Sequence, residues 1–321
     1  MSGRARVVFF GSPTCAVPSL RALCEWGADI VYVVTQPARG RKRGRRDIPT
    51  PVACEAASRG IRVLSPSKVN QILPQIQESR SDAGVIVAYG QIIPKEMIEI
   101  FRNGILNLHF SLLPRWRGAA PVQRAILAGD TTTGVCTMLI DEGLDTGPVL
   151  ECEATQIEPR ERAGELEARL AEIGARLVIR SLEAILEGTA RPKPQPADGV
   201  TYAPPLKREE CQIDWSKSAF DIERLVRAAH PSPCAFTYLR GKLIKIHRAF
   251  AISEASLPEW GRQPGKSPGD VVVDENGQLR VVCGDGILVL EEVQPEGKRV
   301  MLAREFLRGV RMSNTIRLGT S

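Results

Sequence analysis

The chain holds only three histidines, at 109, 230 and 247, and one of them stands in company suited to chemistry. Asn107 lies two residues before His109. On a β-strand a spacing of two puts both side chains on one face. An imidazole exchanges a proton near neutral pH, and a primary amide beside it donates hydrogen bonds. Most strand-end histidines are structural, so the neighbour is what singles this one out. A second polar motif follows in Asp141-Glu142-Gly143-Leu144-Asp145-Thr146-Gly147. Carboxylates between glycines are usually turn residues, but one that reaches a histidine orients it and raises its basicity. The other two histidines read as bland. His230 sits between Ala229 and Pro231 at a helix end, and His247 reads as an exposed residue of an alternating strand.

The cations are clustered. Arg39, Arg41, Lys42, Arg43, Arg45 and Arg46 supply six positive charges within eight residues, equal to the whole net charge of +6. Such a run is usually a solvated loop. It also suits phosphate contact, because clustered Arg and Lys release counterions from nucleic acid. The eight cysteines never form a C-x-x-C pair, so metal-ligand spacing is absent and reduced thiols are the default expectation. Hydrophobic residues make up 43% and charged ones 25%, which excludes general disorder. No apolar run approaches the ~18 residues of a membrane span. The N-terminus lacks a signal-peptide core. A cytoplasmic monomer is the expectation.

These residues need elements to position them. Residues 6–10, 30–35, 61–64, 83–88 and 104–109 read as short apolar strands. Helices are expected near 18–26, 51–58 and 95–101. This alternation predicts an α/β fold with a Rossmann-like, doubly wound, mainly parallel sheet. Ligands bind beyond the carboxyl ends of such strands, which gathers 11–13, 89–93 and 107–114 on one edge. A long helix over 161–186 follows. Prolines at 192, 194, 196, 204 and 205 mark a semi-rigid linker. Beyond it, one helix over 219–229 and strands joined at Asn276-Gly277 and Asp285-Gly286 predict a smaller β-barrel, an oligonucleotide-binding type being one candidate. The expected domains are 1–188, a linker over 189–207, and 208–321.

Asn107, His109, the Ser111-Leu112-Leu113-Pro114 run with its following Arg-Gly, and Asp145 within Asp-x-Gly-x-Asp-Thr-Gly together resemble the folate-dependent formyltransferases. Further segments (202–206, 213–216, 294–298 and 306–309) resemble the branch of that family that acts on charged initiator tRNA, so the likeness spans nearly the whole chain. The resemblance implies a Rossmann-like catalytic domain and a C-terminal barrel that helps hold tRNA. It implies 10-formyltetrahydrofolate as formyl donor, the methionyl initiator tRNA as acceptor, and Asn107, His109 and Asp145 as the catalytic residues. The folate is expected against Val87, Tyr89, Gln91, Ile93, Ser111, Leu112, Leu113 and Pro114, with tRNA contacted by the Arg39–Arg46 cations. No metal and no membrane are expected. A formyltransferase for sugar-nucleotide amines is the alternative enzyme, and an RNA-binding protein on an inactivated scaffold the non-enzymatic one. Two departures stand out. Ser12-Pro13-Thr14-Cys15-Ala16 lacks an aromatic before Ala, and His230-Pro231-Ser232-Pro233-Cys234 replaces Asn, Trp and Gly at its first, third and fifth positions. Cys at 234 predicts a turn without positive φ.

Overall fold

The structure, a computed structural model, describes residues 4–38, 48–253, 267–274, 277–309 and 316–319. The run from Arg39 to Arg46, and Asn276, lie outside the described residues. The chain divides into two compact units. The first takes Met1–Pro121, Thr132–Gln156 and Glu167–Pro204; the second takes Val122–Thr131, Ile157–Leu166 and Pro205–Ser321.

In the first unit β1 (Arg6–Gly11) is a buried apolar strand. It leads to α1 (Val17–Trp26), which has Pro18 in its first turn and ends at Gly27 with φ +92°. Pro opening and Gly closing a helix is the expected asymmetry. Next come β2 (Asp29–Val34) and α2 (Pro51–Ser58), the latter capped by the Thr50 hydroxyl accepting from the Ala53 N–H. Then follow β3 (Val63–Leu64), α3 (Leu73–Glu78), β4 (Ala83–Val87), α4 (Lys95–Ile100) and β5 (Ile105–His109). These strands pair in parallel in the order β3-β2-β1-β4-β5. The order in which strands are added reverses between β1 and β4, where Gly11 lies opposite Val87. That is the switch point at which such sheets bind ligands.

After α5 (Pro121–Ala128), strands β6 (Thr132–Leu139) and β7 (Val149–Gln156) extend the sheet antiparallel beyond β5. Antiparallel neighbours need no helical crossover, so the 141–147 motif becomes the connection between them. The long helix α6 (Ala163–Leu186) buries Leu166, Leu170 and Leu177. Its Gly174 rides so close to β5 that a Cβ there would collide with Leu108.

The second unit holds α7 (Ala219–Ala229), β8 (Ala235–Leu239), β9 (Lys242–Ile252), β10 (Val271–Val273), β11 (Leu279–Val282), β12 (Ile287–Pro295), β13 (Met301–Leu302) and α8 (Ala303–Arg308). Its strands form an antiparallel sheet in the order β10-β11-β12-β9-β8, with β13 on β12. Ile222, Val226, Ile246, Leu288 and Val293 share its core with Trp215, whose Nε1–H donates to Thr237 Oγ1 at 3.0 Å.

Three local expectations are corrected. Cys234 adopts φ +75°: its N–H donates to Ala229 O at 2.9 Å, and this tight return after α7 imposes the left-handed turn whatever the side chain. His247 is half-buried rather than exposed, with Nε2 3.2 Å from Gln294 Oε1 and its ring beside the Cys234 sulfur. Cys136 and Cys152 form a disulfide rather than staying reduced, because the β6–β7 register sets them directly opposite with Cα atoms 4.2 Å apart.

Candidate active site

Every residue of β5 is buried, including Asn107 at 8% exposure and His109 at 5%. The two-residue period holds, and both lie at the strand's carboxyl end. His109 Nε2 is 2.8 Å from the Trp116 carbonyl oxygen. A carbonyl only accepts, so Nε2 carries the hydrogen. Nδ1 then faces Asp145 Oδ2 at 3.6 Å, longer than a direct hydrogen bond. Among the described residues the Asn107 amide hydrogen-bonds to no protein group. It nonetheless keeps some contact with solvent, so it is open to a ligand.

Asp145 reaches the ring because its loop is folded by the other members of the motif. Asp141 Oδ1 accepts from the Gly143 N–H at 3.0 Å and from the Thr146 hydroxyl at 2.6 Å, an aspartate turn. A Cβ at Gly147 would collide with the Leu139 carbonyl. The first carboxylate therefore folds the loop and the second is aimed by it. Asp145 itself takes φ +51°, and its Oδ2 accepts from the Gly118 N–H at 2.8 Å. Ser111 donates its hydroxyl to Arg115 O at 2.6 Å. That tightens the loop that brings the Trp116 carbonyl and the Gly118 N–H together.

The other expected residues divide by what they already do. Val87 is fully buried at the end of β4. Tyr89 packs edge-on against Phe10 with ring centroids 5.6 Å apart, and burial pushes its hydroxyl up to about 12. Only its carbonyl reaches the loop edge, where it accepts from Ser12 Oγ and Gln36 Nε2, both at 3.2 Å. Gln91 is spent on its neighbours, accepting from the Val69 N–H at 2.8 Å and donating to Pro66 O at 3.2 Å. Ile93 packs against the apolar cluster under β4. Ile92 beside it is 91% exposed. Among the described residues the main chain of 92–93 has no hydrogen-bond partner. Leu112 lies over Gly134, and the Leu113 N–H points at Cys136 Sγ, 3.4 Å away, with Pro114 following. Cys15, which stands where the family tends to have an aromatic, is buried, and its thiol is pushed up to about 12 by desolvation, then by Glu167. It is a packed, protonated thiol.

Sequence reasoning placed Ser12 on the edge but missed the Trp116 carbonyl and, above all, Gln195. The proline-rich stretch hides Gln195, since nothing local distinguishes it from a spacer residue. Metal-binding groups of three or more His, Cys, Asp or Glu are absent among the described residues, and no helix there is long and apolar enough to cross a membrane.

Comparison with known proteins bears on this geometry. Residues 5–182 match the formyl transferase family, and residues 205–311 match the formyl transferase C-terminal domain. The methionyl-tRNA formyltransferase of Myxococcus xanthus is 44% identical over 97% of this chain and 96% of its own. That of Symbiobacterium thermophilum is 45% identical over 95% and 92%. Among solved structures, an N-formyltransferase from Helicobacter canadensis, in complex with folinic acid and dTDP-3-aminofucose, superposes with a TM-score of 0.66. It is 19% identical and covers 89% of this chain and 99% of its own. HypX from Aquifex aeolicus in complex with tetrahydrofolic acid superposes at 0.65 with 18% identity, over 97% of this chain and 49% of its own. At such identities the structural likeness is one of fold, whereas relatives this similar in sequence over their whole lengths establish kinship: the chain belongs to the methionyl-tRNA formyltransferase family.

Proposed function

We propose that this chain transfers the formyl group of 10-formyltetrahydrofolate to the α-amino group of methionyl initiator tRNA. What supports this, beside family membership, is one observation. The His109 ring is held between a carbonyl and a carboxylate, next to a buried Asn107 amide without a protein partner. The donor supplies an activated formyl carbon: the amine nitrogen bonds to it, its bond to N10 breaks, and the amine proton ends on the departing nitrogen. Negative charge grows on the formyl oxygen meanwhile. The Asn107 amide is a fixed donor for that oxygen, the arrangement that lowers such barriers. A protonated His109 keeps Nε2–H on Trp116 O and presents Nδ1–H from the other side. Asp145 is its charge partner, and the 3.6 Å gap leaves that hydrogen available to a substrate oxygen.

The pterin-bearing donor fits the loop edge at 87–93 and 111–114. There Ile92 is exposed and the main chain of 92–93 is free to pair with a flat, polar heterocycle. Cations hold the tRNA, both the run at Arg39–Arg46 and a cluster in the second unit. In that cluster the Glu296 N–H donates to Leu243 O at 2.9 Å, which sets Lys298 and Arg299 against the Lys242 end of β9. Formyl transfer measured with charged initiator tRNA and with free amino sugars tests the reading. Turnover confined to the tRNA is expected. Turnover of the amino sugar alone would replace this function with the alternative.

A further inference from the structure

The proline-rich stretch does more than span. Within the first unit Lys193, Gln195, Thr201 and Ala203 are hydrogen-bonded to the rest of the unit. Val149 and Lys193 exchange both main-chain hydrogen bonds at 2.8 Å. The Trp116 N–H donates to Thr201 Oγ1 at 2.8 Å, and the Arg117 N–H to Thr201 O at 2.9 Å. Arg117 O accepts from the Ala203 N–H at 2.7 Å, and Ala203 O from the Ala120 N–H at 3.0 Å.

Gln195 occupies the middle of this strap, half-buried in an otherwise exposed run. Its Nε2 donates to two carbonyls of the motif loop, Asp145 O and Gly147 O, both at 2.8 Å. Its Oε1 accepts from Arg117 Nε at 3.1 Å and Nη2 at 2.7 Å, and Arg117 is 9% exposed. One side chain thus uses both ends of its amide to tie the loop carrying Asp145 to the loop carrying Trp116 and Gly118. Those are the two loops that meet at His109. Pro194 and Pro196 flank it; a proline fixes its own φ, and the residue before a proline is confined to extended backbone. The grip is therefore presented from a stiffened chain. It acts where stiffness matters, because Asp145 holds a left-handed φ of +51° that a non-glycine residue adopts only when its surroundings enforce it.

We propose that Gln195 is a positioning residue. It holds the backbone of Asp145 so that the carboxylate stays beside His109, and it acts on catalysis only through Asp145. The inference rests on the role given to Asp145 above. The test compares wild type, Gln195→Ala, Gln195→Glu, Asp145→Ala and the Gln195→Ala/Asp145→Ala double variant. Each is assayed for kcat and both KM values on the full chain, below its measured Tm. Gln195→Ala is expected to lose ~10-fold to ~10²-fold in kcat, the scale of an active group misplaced by about 1 Å, with the folate KM within ~2-fold. Gln195→Glu keeps the acceptor for Arg117 but cannot donate to the two carbonyls, and should be as slow. The double variant should match Asp145→Ala within ~2-fold, since residues acting as one unit are not additive. Multiplying losses, or a Gln195→Glu variant as fast as wild type, would overturn the inference. So would a Gln195→Ala variant at wild-type kcat beside a crippled Asp145→Ala, and that result would leave the role of Asp145 standing. A wild-type kcat in Asp145→Ala would instead overturn the underlying reading and the inference with it.

Discussion

His109 and His230 both sit at the end of a regular element and both are largely shielded, yet their surroundings are opposite in sign. His109 closes β5 with a carbonyl on one nitrogen and the Asp145 carboxylate facing the other. His230 follows α7 with Arg162 Nη1 3.3 Å from its Nε2, the His247 ring 5.7 Å away, and its Nδ1 sealed without a partner. Burial first, then Arg162 and His247, push His230 down to about 4, with Glu165 opposing and Arg248 adding to the push. A carboxylate oxygen lies 3.6 Å from one imidazole, and a guanidinium nitrogen lies 3.3 Å from the other. Two shielded histidines thus differ in the charge set beside them, and the proposed function uses only the one that faces a carboxylate.

The sharpest way to break this contrast is replacement of each ring. His109→Ala should fold and lose at least ~10²-fold in kcat, the scale for removing one stabiliser of developing charge. His230→Asn should keep kcat within ~2-fold. Steady-state formylation of charged tRNA checks both, and comparable losses in the two variants would erase the distinction. Next in size, Asp145→Asn removes the charge and keeps an acceptor for the Gly118 N–H. A kcat loss approaching that of His109→Ala is expected, with Tm within a few degrees of wild type by calorimetry. If the loop geometry alone mattered, this variant would stay active.

A smaller effect is expected from the second unit, whose cations the proposed function assigns to binding rather than chemistry. Lys242, Lys298 and Arg299 are exposed and have no ion-pair partner among the described residues. By contrast Arg248, on the same strand as Lys242, is paired with Glu165 at 3.3 Å. Replacing those three by Ala should raise the KM for tRNA several-fold and leave the folate KM alone. The slope of log affinity against log salt should become shallower by ~0.9 for each duplex phosphate that is no longer neutralised. Filter binding across a salt series measures it, and an unchanged slope would remove these residues from the interface.

The least effect concerns stability. His230 sits at about 4 in the folded chain against an ordinary 6.5. Between these values the unfolded chain binds a proton that the folded chain refuses, so stability is full above pH 6.5 and falls as pH drops through the window. His230→Asn should flatten that fall by a few degrees in Tm, at the ~2–4 °C per kcal/mol of a domain of about 150–250 residues. Parallel acid slopes for the two proteins would show that His230 is not the group responsible.

The parallel strands β1, β2, β4 and β5 could be read directly from the sequence, because short, mostly apolar runs rich in Val, Ile and Leu and alternating with helical stretches have few other readings. The extent of α7 and the strands flanking the Asp285-Gly286 turn were equally open, with Gly286 at φ +79°, whereas β8 and β13 were not. Strands β6 and β7 were not. Their alternation is blurred because β7 is an edge strand whose residues are half-buried or exposed. The pairing of Cys136 with Cys152 could not be found without their register. Cys234 shows the limit of residue preference: a rare backbone conformation is tolerated when the return after α7 leaves no alternative.

The sequence by itself determined the alternation of strand and helix, the two-residue spacing that sets Asn107 and His109 on one face, and the turn chemistry of Asp141, Gly143 and Gly147. All of these depend on neighbours a few positions away. The family resemblance pointed to Asp145, but only the tertiary structure decided how its carboxylate is aimed, that Trp116 supplies a carbonyl and not its ring, and that Gln195 ties the two loops together. Loop conformation is set by hydrogen bonds to partners distant in the chain. The Gly118 N–H on Asp145 and the Gln195 amide on Asp145 and Gly147 have no counterpart in any local pattern, because each exists only once the sheet has brought the two loops to the same edge.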